Sequence, residues 1–389
     1  MLTHNAGGAP GRRRFRFRLA AIVCLSVLSG HPMAAQAASG KPAFVMPTDP
    51  ATIIEKLPRG YAALMPSAGK PAAYLQQVQQ LLATAAATGD ARLAARADRL
   101  LAKFPESIAS PDVLRTRAYS AQHRHDFKQA LLILDQLVMT QPRDGDARLS
   151  RAQVHLVQGR LDLARADCAA LAFGVDVGRG MACIAALSMR QGNLVAAADM
   201  ADRWLAQAPA TDPSRRHMLV MRAEIAARAG DKVASETFSR ALALVPGDVR
   251  TLAAYSRHLR ASGQQASALR LLAGATASDS LQLERTLAAA AIGDPSATAL
   301  AQQQSRRYAL ARQLGSQPEL REEAEFMLTI VKDAGTALQL AQRNFEQQRD
   351  FEDVEILRRA ARAANRPDAM VPVRAWAKAQ GLPAEAVAP

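Results

Sequence analysis

Seven residues tolerant of a left-handed backbone recur along this chain: Gly89, His125, Gly159, Gly192, Gly230, Gly263 and Gly293. Their spacings are 36, 34, 33, 38, 33 and 30 residues. Between these stops the apolar residues keep a helical period. Such a period restricts the chain to a stack of short helix pairs. A single pair cannot bury its apolar face alone, so neighbours must stack and the core must run the length of the array. Glycine takes positive φ without steric cost, and His is among the other residues enriched there. A second set of stops, Pro105, Pro142, Pro209 and Pro246, closes the second helix of several pairs. Ser110-Pro111, Asp212-Pro213 and Asp294-Pro295 read as helix starts, with a cap residue before a first-turn proline.

Composition supports an all-α reading. Ala, Leu, Arg and Gln dominate and aromatic residues are only 4%. Those residues lose little side-chain freedom in a helix. No stretch shows the alternating β-branched pattern of a sheet.

Two aligned strings carry the packing logic. "RAYSAQHRHDFKQALLILDQL" spans Arg117 to Leu137, and "RAQVHLVQGRLDLARADCAAL" follows 34 residues later, from Arg151 to Leu171. The first supplies Ala118, Phe127, Ala130, Leu134, Leu137 and then Pro142. The second supplies Ala152, Leu161, Ala164, Cys168 and Leu171. Later units supply Ala185, Ala197, Trp204 and Pro209, then Phe238, Ala241 and Pro246, then Ser256, Ala268 and Leu272. Small residues let two helices approach, and the large ones fill the gap to the next pair.

This pattern resembles the tetratricopeptide repeat (TPR) family. The resemblance is strong over 111–275 and weaker over 72–105 and the C-terminal run. The whole layout resembles exported bacterial TPR-containing proteins. What the resemblance implies is a right-handed superhelical solenoid of antiparallel helix pairs whose first helices line a concave, partner-binding face.

The organisation along the chain follows. "RRRFRFR" (Arg12 to Arg18), the apolar "LAAIVCLSVLS" (Leu19 to Ser29) and "AQA" (Ala35 to Ala37) have the order of a secretory signal peptide over 1–37. Residues 38–71 hold six prolines and read as an extended lead-in. The solenoid occupies 72–275. Longer divergent helices are expected at about 280–292, 296–314 and 318–332, within 276–334. Degenerate TPR-like helices and a tail fill 335–389. The formal net charge is +14, but the first 37 residues carry five Arg and no acid, which leaves +9 after cleavage. Only eight of the 49 cations are Lys, a balance typical of Arg-rich, Ala-rich chains. Export to the periplasm argues against the nucleic-acid partner that charge alone suggests. No membrane span is expected after signal cleavage.

No catalytic spacing stands out. The chain lacks a HExxH zinc helix, a Gly-rich phosphate loop and a GxSxG elbow. His123 and His125 are two apart and point to different helix faces. The acidic pairs Glu322-Glu323 and Glu352-Asp353 read as helix-start carboxylates that favour the dipole. No catalytic residue, metal or cofactor is therefore expected. Cys168 and Cys183 lie on adjacent helices and admit two readings, a disulfide in an oxidising compartment or buried small residues at packing positions. Counting from the small residue of each first helix puts Arg115, Tyr119, Gln122, Gln153, Arg190, Glu224, Arg228, Arg257 and Arg260 on the concave face. The arginines there suit a carboxylate-bearing protein or peptide segment. The expected function is a non-catalytic interaction scaffold of the bacterial envelope. The alternative is an accessory part of an envelope enzyme or polysaccharide-export system.

Overall fold

The computed structural model describes residues 71–88, 91–104, 109–275, 278–313 and 319–383, and all regular structure among them is helical. The expected signal peptide, residues 38–70 of the lead-in, Gly89 and Pro105 lie outside the described residues. Among the described residues, nine helix pairs follow one another. They are α1 (Pro71–Thr88) with α2 (Ala91–Leu101), α3 (Pro111–His123) with α4 (Phe127–Thr140), and α5 (Gly145–Val157) with α6 (Leu161–Ala170). Next come α7 (Val177–Arg190) with α8 (Leu194–Gln207), α9 (Arg215–Arg228) with α10 (Ala234–Leu244), and α11 (Val249–Ala261) with α12 (Gln265–Leu272). The last are α13 (Asp279–Ala291) with α14 (Ala297–Gln313), α15 (Leu320–Phe326) with α16 (Ala334–Gln347), and α17 (Phe351–Ala363) with α18 (Val371–Ala379). Packing runs mainly between chain neighbours, as in a solenoid. Among the described residues, no helix is long and apolar enough to cross a membrane.

The stops fall where the spacing puts them. His125, Gly159, Gly192, Gly230, Gly263 and Gly293 all have φ between 57° and 78°, which ends each first helix with a left-handed turn. Several starts are capped by a carboxylate or amide. Asp126, Asp144, Asp176, Asn193, Asp248 and Asp333 each accept from the amide three residues on. Two expected starts move. Asp212 and Asp294 accept from the amides of Ser214 and Ser296, closing a short turn, and α9 and α14 begin only at Arg215 and Ala297. These acids use a two-residue turn in place of the cap.

The small residues sit where helices touch. Ala118, Ala152, Ala185 and Ser256 on first helices have 0% exposure, as do Ala130, Ala164, Ala197 and Ala268 on second helices. Phe127, Leu134, Leu137, Leu161, Leu171, Trp204 and Phe238 fill the gaps between pairs and are buried. Removing such apolar area from water supplies roughly 25 cal/mol per Å². Cys168 and Cys183 are joined by a disulfide, with Cα atoms 5.2 Å apart. It ties α6 to α7 beneath a widened turn at Leu171–Val175.

The array does not stay open. Its last two pairs fold back across the turns of earlier ones. The Arg349 amide donates to the Val157 carbonyl at 2.8 Å, and Trp376 Nε1 donates to the Gly159 carbonyl at 3.0 Å. The Leu161 amide donates to Gln380 Oε1 at 2.9 Å, and Gln348 Nε2 lies 3.2 Å from His125 Nδ1. Pro383 meets the space above Gly192. The left-handed turns thus do two jobs: they end helices, and they form the floor on which the C-terminal helices rest.

Candidate functional site: the ion-paired concave face

First-helix arginines converge on the concave side, and the chain's own carboxylates meet them. Arg190 Nε donates to Asp350 Oδ1 at 2.7 Å, with both side chains buried. Arg228 reaches Glu352 at 3.2 Å and lies over the Phe351 ring, 4.6 Å from its centroid. Arg260 pairs with Glu284 at 2.8 Å, and Arg257 approaches the same carboxylate at 3.9 Å. Arg321 faces Asp353 at 3.6 Å, and Arg359 holds Glu325 at 2.6 Å. Asp350 and Asp353 also form the reciprocal capping box that starts α17. One short acidic stretch therefore caps a helix and neutralises the groove.

This corrects the expectation of a concave face left open to a foreign acidic segment. Arg190, Glu224, Arg228, Arg257 and Arg260 do gather, but Arg190 and Arg228 meet the start of α17 and Arg257 and Arg260 meet Glu284 of α13, all in the same chain. The remaining groove candidates stand apart from that cluster. Arg115 pairs with Asp112 and Asp144. Tyr119 packs edge-on against His123 at 4.7 Å. Gln122 is buried and donates to the Ala118 carbonyl at 3.4 Å, while Gln153 is buried with no partner for Nε2. The acidic pairs expected at helix starts do lie in first turns, and Glu322, Glu323 and Asp353 are buried there.

Two cavities lie under the returning helices. One of about 310 Å³ is bounded by Leu161, Met189, Val354 and Trp376. The other, of about 700 Å³, lies between α9, α11 and α13 on one side and α15 and α17 on the other. Its electrostatics are uneven. Burial, then the Glu352 charge, pushes the Glu224 carboxyl up to about 7. Burial, then Glu319, pushes Glu322 up to about 8. Burial also lifts Asp353 to about 7 against the pull of Arg321. Burial works on Glu352 in the same sense, but Arg228, Arg321 and Arg257 together outweigh it and hold that group at about 2.

Sequence reasoning missed Trp376, Arg349, Gln380 and the carboxylates of 350–353 as parts of this face. Two signals were available: a lone Trp in a tail otherwise poor in large aromatics, and the acid-aromatic run "DFEDVE". Neither has meaning until the tail is known to reach residues 120–230.

The helix-pair solenoid and its internally paired concave face define an all-α repeat protein. It resembles the TPR family in its repeat period and packing positions. No protein-family model and no curated protein matches the chain. Solved structures similar to it include a tetratricopeptide repeat protein from Parabacteroides merdae, at 15% identity and a TM-score of 0.40, covering 64% of this chain and 97% of that one. The APC/C hetero-tetramer Cut9–Hcn1 is similar at 13% identity and a TM-score of 0.44, over 81% of this chain and 67% of that one. The TPR domain of P58(IPK) is similar at 17% identity and a TM-score of 0.23, over 76% and 79%.

Proposed function

We propose that this chain is a non-catalytic interaction scaffold of the bacterial envelope, exported with cleavage after Ala37, which binds a protein or peptide partner through its helix-pair array. The observation that carries the reading is how the concave face holds α17. Arg190 and Arg228 take Asp350 and Glu352, and Arg228 covers Phe351 between them. A face that recognises an acidic, aromatic-bearing helix by side-chain pairing is a protein-recognition surface in its chemistry. The Cys168–Cys183 disulfide supports the export reading, because such bonds persist in oxidising compartments.

The test is affinity capture by the oxidised, full-length mature protein from periplasmic and envelope extracts. Recovered proteins are identified by mass spectrometry and their affinity is measured again with purified components. A reproducible partner with saturable, salt-weakened binding supports the scaffold. Failure of any partner to survive purification, together with turnover of an envelope substrate by the chain alone, would overturn it. Mass analysis of the N-terminus in the same preparation checks export, since an intact Met1 contradicts cleavage.

A further inference from the structure

The larger cavity is unevenly satisfied, and the imbalance has a direction. Four of its carboxylates have a guanidinium. Glu284 is held by Arg260 at 2.8 Å, Glu325 by Arg359 at 2.6 Å, Glu352 by Arg228 at 3.2 Å and Glu355 by Arg358 at 2.7 Å. Glu224 and Glu322 stand apart. Glu224 Oε2 is buried with no hydrogen-bond partner, and Glu322 feels Arg321 and Arg257 but has neither within ion-pair distance among the described residues. Each residue is more than nine-tenths buried, with exposures of 8% and 7%. They come from α9 and α15, and both line the cavity.

We propose that this cavity is a binding site for a small organic cation, an alkylamine or diamine whose N–H groups donate to Glu224 and Glu322. Every arginine of the lining already faces a carboxylate, the loosest being Arg257 at 3.9 Å from Glu284. What the cavity lacks is a donor for the buried Glu224 Oε2 and a cationic partner for Glu322, so its complement is a cation and not an anion. A buried acceptor without a donor destabilises the fold, more so when it is charged. A ligand nitrogen removes that destabilisation. The volume of about 700 Å³ lies within the roughly 300–1,000 Å³ of small-molecule pockets. Phe238, Ala254, Leu283 and Ile356 give it apolar walls on which a methylene stem can lie.

The surroundings bear on proton balance. Glu224 feels Glu352 against Arg228, Arg257 and Arg190. Glu322 feels Glu319 and Asp279 against Arg321 and Arg257. Burial keeps Glu322 mainly protonated near neutral pH and leaves Glu224 close to half protonated. An ammonium group stabilises the ionised form, so binding releases protons.

The experiment is calorimetric titration of the full-length folded protein with n-butylamine, putrescine and cadaverine, in two buffers of different ionisation enthalpy. The diol of matching length is the uncharged control. The expected result is saturable binding of at least one amine and none of the diol. Proton release appears as a buffer-dependent enthalpy. Glu224→Gln and Glu322→Gln each weaken binding by about tenfold, equivalent to about 1.4 kcal/mol. No saturable binding of any amine overturns the proposal, as does unchanged affinity in both folded variants. If either variant fails to fold, the wild type decides: amine binding without proton release at neutral pH also overturns it. The inference is independent of the scaffold reading, since the titration needs no protein partner.

Discussion

Arg190 and Asp350 are 160 residues apart in sequence, yet Arg190 Nε lies 2.7 Å from Asp350 Oδ1. Their side chains are only 5% and 1% exposed. The pair joins the end of α7 to the cap of α17, and so joins the middle of the array to its C-terminal end. Arg190→Met should destabilise the fold by about 3–5 kcal/mol, because it leaves a buried carboxylate without its counter-charge. Adding Asp350→Asn should recover most of that loss, since Asn still caps α17 and removes the orphan charge. Urea unfolding of the single and double variants measures both. A single variant within experimental error of wild type would show that the pair does not hold the closure.

Gly159 and Gly230 form an internal comparison. Both have positive φ, 67° and 68°. A Cβ on Gly159 would lie 2.7 Å from Trp376 Nε1, whereas one on Gly230 meets nothing within 4 Å. Gly230→Ala should show only the backbone penalty, roughly 1–2 kcal/mol. Gly159→Ala should add an overpacking penalty of about 1–3 kcal/mol and displace Trp376. Trp fluorescence should shift in Gly159→Ala alone. Equal stabilities and spectra would remove Trp376 from the docking contact.

Stability should fall as pH rises above neutrality. Glu224, Asp353 and Glu322 have folded pKa values raised to about 7, 7 and 8. A carboxyl raised on folding stabilises the fold below its unfolded pKa, and that stability is lost as pH climbs through the folded value. Buried His217 is lowered from 6.5 to about 3 and acts oppositely, but only below 6.5. Between about 6.5 and 8 the carboxyls act alone, so the melting temperature should decline there. Glu322→Gln should flatten the decline. Thermal melts across that window decide, and a rising melting temperature would contradict the assignment.

Reduction of Cys168–Cys183 should weaken the fold. The bridge closes a loop of 15 residues' separation, for which chain entropy gives about 3 kcal/mol. A Cys168→Ser, Cys183→Ser double variant should lose a similar amount and become insensitive to reductant. Guanidine melts with and without dithiothreitol test this. Identical curves for oxidised and reduced wild type would show that the bridge contributes nothing to stability.

The repeat architecture was legible in the chain because its determinants are local. Ala152, Ala164 and Cys168 mark one pair's contacts by helical spacing, and Gly159 marks its turn. All lie within one repeat of their partners. The convergence of Arg190, Glu224, Arg228, Arg257 and Arg260 was legible too, since one register places the corresponding positions of successive first helices on one face. The partners of Arg190 and Arg228 were not. Asp350, Glu352 and Trp376 look in sequence like a solvated helix start and a stray aromatic. Their meaning comes from contacts spanning 124 to 217 residues. Each helix pair adds a small rotation to the last, and only the sum over the array brings the end of the chain back onto its earlier turns. No single repeat encodes that sum, so the spacing determined the solenoid, while its accumulated curvature decided what fills the concave face.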